Sequence, residues 1–167
     1  MSYSFSAGEA FKVAIRIEEN GRKFYEESQR NIESADVRTL FADLAIQEME
    51  HKKKFETLLA QLPPESTASR VWDPENELDQ YIRMMADDHV YITDDEAKDR
   101  IGRIRDSSDA LKMAMEFEKD TLIFFLGLEE AMADKKDREL IKSLLDEEQG
   151  HLKRLASELR KISGKRS

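Results

Sequence analysis

Four stretches of this chain carry apolar residues at alternating three- and four-residue steps, and each stretch is broken at its middle by an acidic residue. The first reads Phe11, Ala14, Glu18, Gly21, Tyr25, and the second Phe41, Leu44, Glu48, His51, Phe55, Leu58. The third reads Leu111, Ala114, Glu118, Thr121, Phe125, Leu128, Met132, and the fourth Ile141, Leu144, Glu148, His151, Leu155. Such steps place each set on one face of a helix, the face that enters a bundle core. Four glutamates and two histidines therefore stand where packing alone would select leucine.

The helix limits follow from local chemistry. The first helix is expected from about Ala7 to Asn31, with Ser6 and Glu9 spaced as a capping box. The second runs from about Asp36 to Leu62 and stops at Pro63-Pro64. The third starts near Asp109, after Ser107 and Ser108, and reaches about Ala133. The fourth runs from about Lys135 to Ile162, capped by Asp134, with Gly164 just past its end. Short joints make two antiparallel hairpins, about 7–62 and 109–162, separated by a long connection, about 63–106. Within that connection Glu77 to Asp88 and Asp94 to Arg105 each suit a short helix, the latter with a capping pair in Thr93 and Glu96. The fold class expected is all-α: a single-domain four-helix bundle with a long, partly helical crossover between helices two and three.

Composition narrows the function. The 167 residues suit one domain, and they include no cysteine, which excludes disulfides, thiolate metal sites and cysteine nucleophiles. A net charge of −9 argues against bulk nucleic-acid binding. No apolar run approaches the roughly 18 residues of a membrane span, and the first residues lack a signal-peptide pattern, so a cytoplasmic protein is the expectation.

The acidic residues in the seams carry the chemistry. Glu118, Glu148 and His151 are Glu18, Glu48 and His51 with 100 added to each number, and the surroundings follow: Phe24-Tyr25 with Phe124-Phe125, Leu44 with Leu144. One helical hairpin has been used twice, about an approximate two-fold axis. Burying four carboxylates together costs several kcal/mol per ion, plus mutual repulsion. Protonation, Lys or Arg partners, or cations relieve that cost. The seams hold no Lys or Arg; Arg22, four residues after Glu18, can reach only the edge. Two divalent ions balance four carboxylates, and Glu and His three apart on a helix serve one metal together. One Glu-x-x-His is a weak signal, whereas two copies centred in apolar seams with two matching glutamates form the donor set of di-iron and di-manganese bundles. The competing reading is a plain bundle whose glutamates turn out to solvent.

The quoted residues resemble the rubrerythrin branch of the ferritin-like di-iron carboxylate family. The resemblance is carried by Glu18-Glu19-Asn20-Gly21-Arg22-Lys23-Phe24-Tyr25, by Leu44 to His51, by Glu118 to Phe125 and by Asp146 to His151. It implies two iron ions per chain, with manganese or zinc as substitutes, reacting with hydrogen peroxide or dioxygen. It makes Glu18 and Glu118 terminal or chelating ligands, Glu48 and Glu148 bridges, and His51 and His151 the nitrogen donors. Two departures stand out. Thr121 replaces a further glutamate usual in such proteins, and without cysteine there is no rubredoxin-like iron site, so electrons must come from a separate donor protein.

Function is accordingly expected to be that of a di-iron oxidoreductase. The alternatives are ferritin-like iron oxidation and storage, and a non-catalytic metal-stabilised interaction module. Tyr25, two turns after Glu18 in the same seam, is the candidate catalytic side chain beyond the ligands; it can hydrogen-bond a ligand or intercept an oxidising equivalent, or be an ordinary core tyrosine. Glu19, Glu50 and Glu147 point away from the seams, either behind the ligands or into solvent. His89 is expected to be structural or exposed. Trp72 and Met84-Met85 are expected to cover apolar surface or to make a homodimer contact.

Overall fold

The computed structural model describes residues 6–64, 94–132 and 134–165. The expectations placed on Trp72, on the segment 77–88 with its Met84 and Met85, on His89 and on Thr93 fall outside these residues. Within them the chain forms α1 (Ala7–Ser28), α2 (Ala35–Gln61), α3 (Asp94–Gly102), α4 (Ser107–Ala131) and α5 (Lys135–Lys165), and no strand occurs among the described residues.

Most helix ends follow the side chains that satisfy free backbone groups. At α1 the Ser6 hydroxyl accepts from Glu9 N, and the Glu9 carboxylate accepts from Ser6 N at 2.7 Å. Past Ser28 the helix tightens into a 3-10 turn over Gln29–Asn31, so the helical run ends at Asn31, the expected limit. Leu62, before Pro63, is extended and closes α2 as proline requires. α4 begins earlier than expected, at Ser107, because Asp106 accepts from Asp109 N at 2.9 Å and acts as the cap. Ser107 instead accepts from Ser34 N and donates to Glu33, pinning the two hairpins together. α5 also runs further than expected, through Gly164 to Lys165, the last described residue. At an exposed chain end glycine costs a helix only about 1 kcal/mol, too little to stop it there.

Both hairpin joints use one device. Arg38 donates to the carbonyls of Ile32 and Glu33, and Arg138, its counterpart 100 residues on, donates to that of Met132. α1 lies along α2 and α4 along α5, with α1 also against α4 and α2 against α5. The core divides into two apolar clusters. One gathers Phe24, Tyr25, Val37, Phe41 and Leu44 with Ala110, Leu111, Ala114 and Leu155; Ile101 and Ile104, at the end of α3 and just beyond it, close this end. The other gathers Phe11, Phe55 and Leu58 with Phe125, Leu128, Ile141 and Leu144. The N-terminal ends of α2 and α4 share a cluster, so these two helices run in the same direction. The end of α2 and the start of α4 therefore lie at opposite ends of the bundle, about 40 Å apart for a helix of this length.

Gly21 marks a close helix approach. A Cβ there would lie 2.7 Å from Phe117 Cζ and 3.0 Å from Glu48 Oε2. Phe117 is buried and has little room to retreat. Gly21→Ala is expected to destabilise the metal-free protein by about 1–3 kcal/mol through overpacking, despite alanine's better helix propensity, as measured by urea denaturation.

Candidate metal centre

Between the two apolar clusters lies a polar layer. Glu18, Glu48, Glu118, Glu148 and His51 are fully buried and His151 is buried to within 1%. α1 contributes Glu18, α2 Glu48 and His51, α4 Glu118, and α5 Glu148 and His151. All six side chains expected from the seams thus come together. The competing picture of glutamates turned out to solvent does not hold.

The donors fall into two interlocking groups: Glu18, Glu48, His51 and Glu148, and Glu48, Glu118, Glu148 and His151. Within each group one ligand atom per residue lies within 4.8 Å of all the others, and Glu48 and Glu148 belong to both. The two imidazoles stack with ring centroids 5.4 Å apart and planes 10° from parallel. Each turns Nδ1 inward: His51 Nδ1 lies 2.7 Å from Glu148 Oε1, and His151 Nδ1 lies 2.9 Å from Glu148 Oε2 and 3.2 Å from Glu48 Oε1. Both oxygens of Glu18, Glu48 and Glu148, one oxygen of Glu118 and both Nδ1 atoms make no well-aligned hydrogen bond. Buried polar atoms without hydrogen bonds are expensive, and a shared set of inward carboxylate and imidazole lone pairs fits a pair of divalent cations.

Protonation shows the same strain in the metal-free site. Burial, reinforced by the charge of Glu148, pushes Glu18, Glu48 and Glu118 well above the carboxylate range. Burial also pushes Glu148 up, but the two histidines outweigh it and hold this carboxyl below its usual value. Burial disfavours charge on both imidazoles; the surrounding carboxylates outweigh it and raise both.

Several neighbours clarify what the six residues need. His51 Nε2 lies 2.8 Å from a Glu147 oxygen, and His151 Nε2 lies 2.9 Å from Gln47 Oε1. Glu147 thus stands behind a ligand; Gln47 was not singled out in the sequence. Both immediately precede the proposed bridging glutamates, at equivalent positions of the two halves, which is the signal that marks them. Arg22 does not reach the seam: it pairs with Glu19 and Glu26, each at 2.7 Å, on the outside of α1. Glu19, bound by Arg22 and Lys52, is held down to about 2 and remains a surface clamp. Glu50 is exposed. Tyr25 is fully buried and donates its hydroxyl to Glu118. Burial, with the charge of Glu118 beside it, pushes its phenol well above the ordinary range. Thr121 is fully buried and its hydroxyl has no hydrogen-bond partner.

A four-helix bundle with a carboxylate and histidine layer across its waist defines the ferritin-like class of metal-carboxylate proteins. A crystal structure described as that of a ferritin-like diiron-carboxylate protein from Thermotoga maritima superposes with a TM-score of 0.66 at 20% identity, covering 96% of this chain and 98% of that one. At that identity the likeness speaks for the fold. The sequence profile of the family described as Rubrerythrin matches residues 9–159, and the chain belongs to the rubrerythrin family. No curated protein sequence matches the chain.

Two outcomes follow. The raised pKa values of Glu18, Glu48 and Glu118 remove stability from the metal-free protein as pH rises above the ordinary carboxylate value. Those of His51 and His151 supply stability that is full below about pH 6.5 and is lost as pH climbs through the raised values. Glu148 acts oppositely, but only as pH falls below its ordinary range. The melting temperature of the metal-free protein should therefore fall from pH 5 to pH 9, while the metal-loaded form changes less and the gap between them widens with pH. Glu48→Ala combined with Glu148→Ala should abolish metal retention at both positions, whereas His51→Ala should mainly lower one, as measured by metal content after desalting.

Proposed function

We propose that this chain is a non-haem di-iron oxidoreductase that reduces hydrogen peroxide, or reacts with dioxygen, at the layer formed by Glu18, Glu48, His51, Glu118, Glu148 and His151. The observation that carries this reading is the sharing of Glu48 and Glu148 by two donor groups, which provides for two metals held side by side. Oxygen-rich ligation suits iron in both common oxidation states, and manganese or zinc are accepted by the same donors. When bound there, an iron pair would supply the two electrons that cleave a peroxide O–O bond, one from each Fe(II), with two protons completing two waters.

The chain's own residues hold and shield that chemistry. Glu48 and Glu148 would serve both metals, and Glu18 and Glu118 would each serve one. The apolar clusters above and below shield the layer from bulk water. Tyr25 holds Glu118 by its hydrogen bond and places an oxidisable phenol beside the centre. Electrons return from a separate donor protein, and the working unit is a homodimer.

Anaerobic loading with Fe(II), followed by stopped-flow mixing with hydrogen peroxide, tests the proposal. A rapid absorbance change on oxidation, consuming about one peroxide per metal pair, is expected. No spectral change with the iron retained would remove the oxidoreductase reading. Assembly mass and iron per chain check the alternative of storage: a closed shell accumulating far more than two irons per chain would favour it.

A further inference from the structure

The two halves of the centre match at every ligand and differ in what stands behind the ligands. On one side His51 Nε2 meets the Glu147 carboxylate directly, at 2.8 Å, and Lys54 Nζ holds the other Glu147 oxygen at 2.9 Å. On the other side His151 Nε2 meets a neutral amide, Gln47 Oε1, at 2.9 Å. With Nδ1 turned inward, each Nε2 carries the ring proton and donates it, so Gln47 presents its carbonyl oxygen. The Gln47 amide nitrogen in turn donates to Asp43 at 3.0 Å, and Arg154, the counterpart of Lys54, engages Asp43 at 2.5 Å. Each relay thus ends in a carboxylate paired with a cation. The carboxylate touches His51, whereas on the opposite side an amide stands between it and His151.

A second break in the symmetry acts in the same direction. Tyr25 donates to Glu118, drawing on the charge that this ligand offers a metal. The counterpart of Tyr25 is Phe125, which has no hydroxyl to offer Glu18. Glu18 and His51 therefore keep their full donor strength. Glu118 shares its charge with a phenol, and His151 lacks the support of a carboxylate.

We propose that the metal position ligated by Glu18 and His51 is the tighter of the two and fills first, and that Glu147, steadied by Lys54, sets this order. The inference rests on the six-residue metal centre and not on the peroxide reaction. A hydrogen-bonded carboxylate orients a ligating imidazole and raises its basicity, and losing such a partner typically lowers metal affinity about 10–100-fold. Glu147 and Gln47 are positioning residues: they act through the histidines.

The test is loading of the metal-free protein with one equivalent of Co(II), with anomalous diffraction above and below the cobalt edge giving the occupancy at each position. In the unaltered protein the Glu18/His51 position should exceed the Glu118/His151 position by about 10-fold or more. E147Q should bring the two occupancies together, and the exchange E147Q/Q47E should move the larger one to His151. Lys54→Met, which leaves every ligand and Glu147 in place, should narrow the ratio in the same direction as E147Q and guards against a misfolded variant. An occupancy ratio that is the same in the unaltered, E147Q and exchanged proteins would overturn the inference, as would cobalt filling the His151 position first in the unaltered protein. Cobalt at neither position would overturn the metal centre itself, and with it the inference. A protein that fills in the stated order yet leaves peroxide untouched would sustain the inference while removing the oxidoreductase reading.

Discussion

Everything in this bundle is arranged around the cost of removing four carboxylates and two imidazoles from water in the same layer. Each helix gives up core positions at its centre, where a leucine would contribute about 1.5–3 kcal/mol of burial, and fills them with groups that lose hydration and repel. Neither the hydrogen bonds available in the layer nor the protons that gather on the carboxylates and histidines relieve that cost fully, as the unbonded oxygens of Glu18, Glu48 and Glu148 show. Two cations would relieve it in one step. The apolar clusters on either side let the layer persist, because they hold the four helices in register whatever its charge.

The duplication explains how such a layer is built from modest parts. A helical hairpin presenting one Glu on its first helix and Glu-x-x-His on its second is repeated, and the two copies face each other. Shared use of Glu48 and Glu148 follows from that meeting. The joints repeat as well, with Arg38 and Arg138 tying off the carbonyls left free before each second helix. The doubled plan has since been modified where its copies need not match: at Tyr25 and Phe125, at Gly21 and Thr121, and at Gln47 and Glu147. These positions distinguish two donor groups that the ligands alone would make identical.

Much of the site was legible in the sequence because helical spacing converts directly into position. Residues three and four apart share a face, so the six ligands could be read from the apolar seams they interrupt. Helix ends were legible where a local side chain decides them, as at Ser6, Asp134 and Pro63. They shifted where a tertiary contact or an overlooked cap intervened: Ser107 is drawn to Ser34 and Glu33, and Asp106 takes over the cap. The pairing of the histidines with their partners was not legible beyond the position of Gln47 and Glu147 just before Glu48 and Glu148, because the contacts of His51 with Glu147 and of His151 with Gln47 join residues 96 and 104 apart in the chain. No periodicity within one helix reveals such a pair. Arg22 failed to reach the seam for a related reason: two nearer carboxylates on its own helix satisfy it first.

The division of the core into two clusters has one more consequence. In most bundles cohesion is greatest midway along the helices and fades toward the frayed tips. Here the midpoint is a hydrophilic seam, so a chain stripped of its ions is loosest at its waist and firmest toward either pole. In the ion-free chain this middle layer is where solvent enters first, while the apolar clusters on either side still hold the continuous helices together.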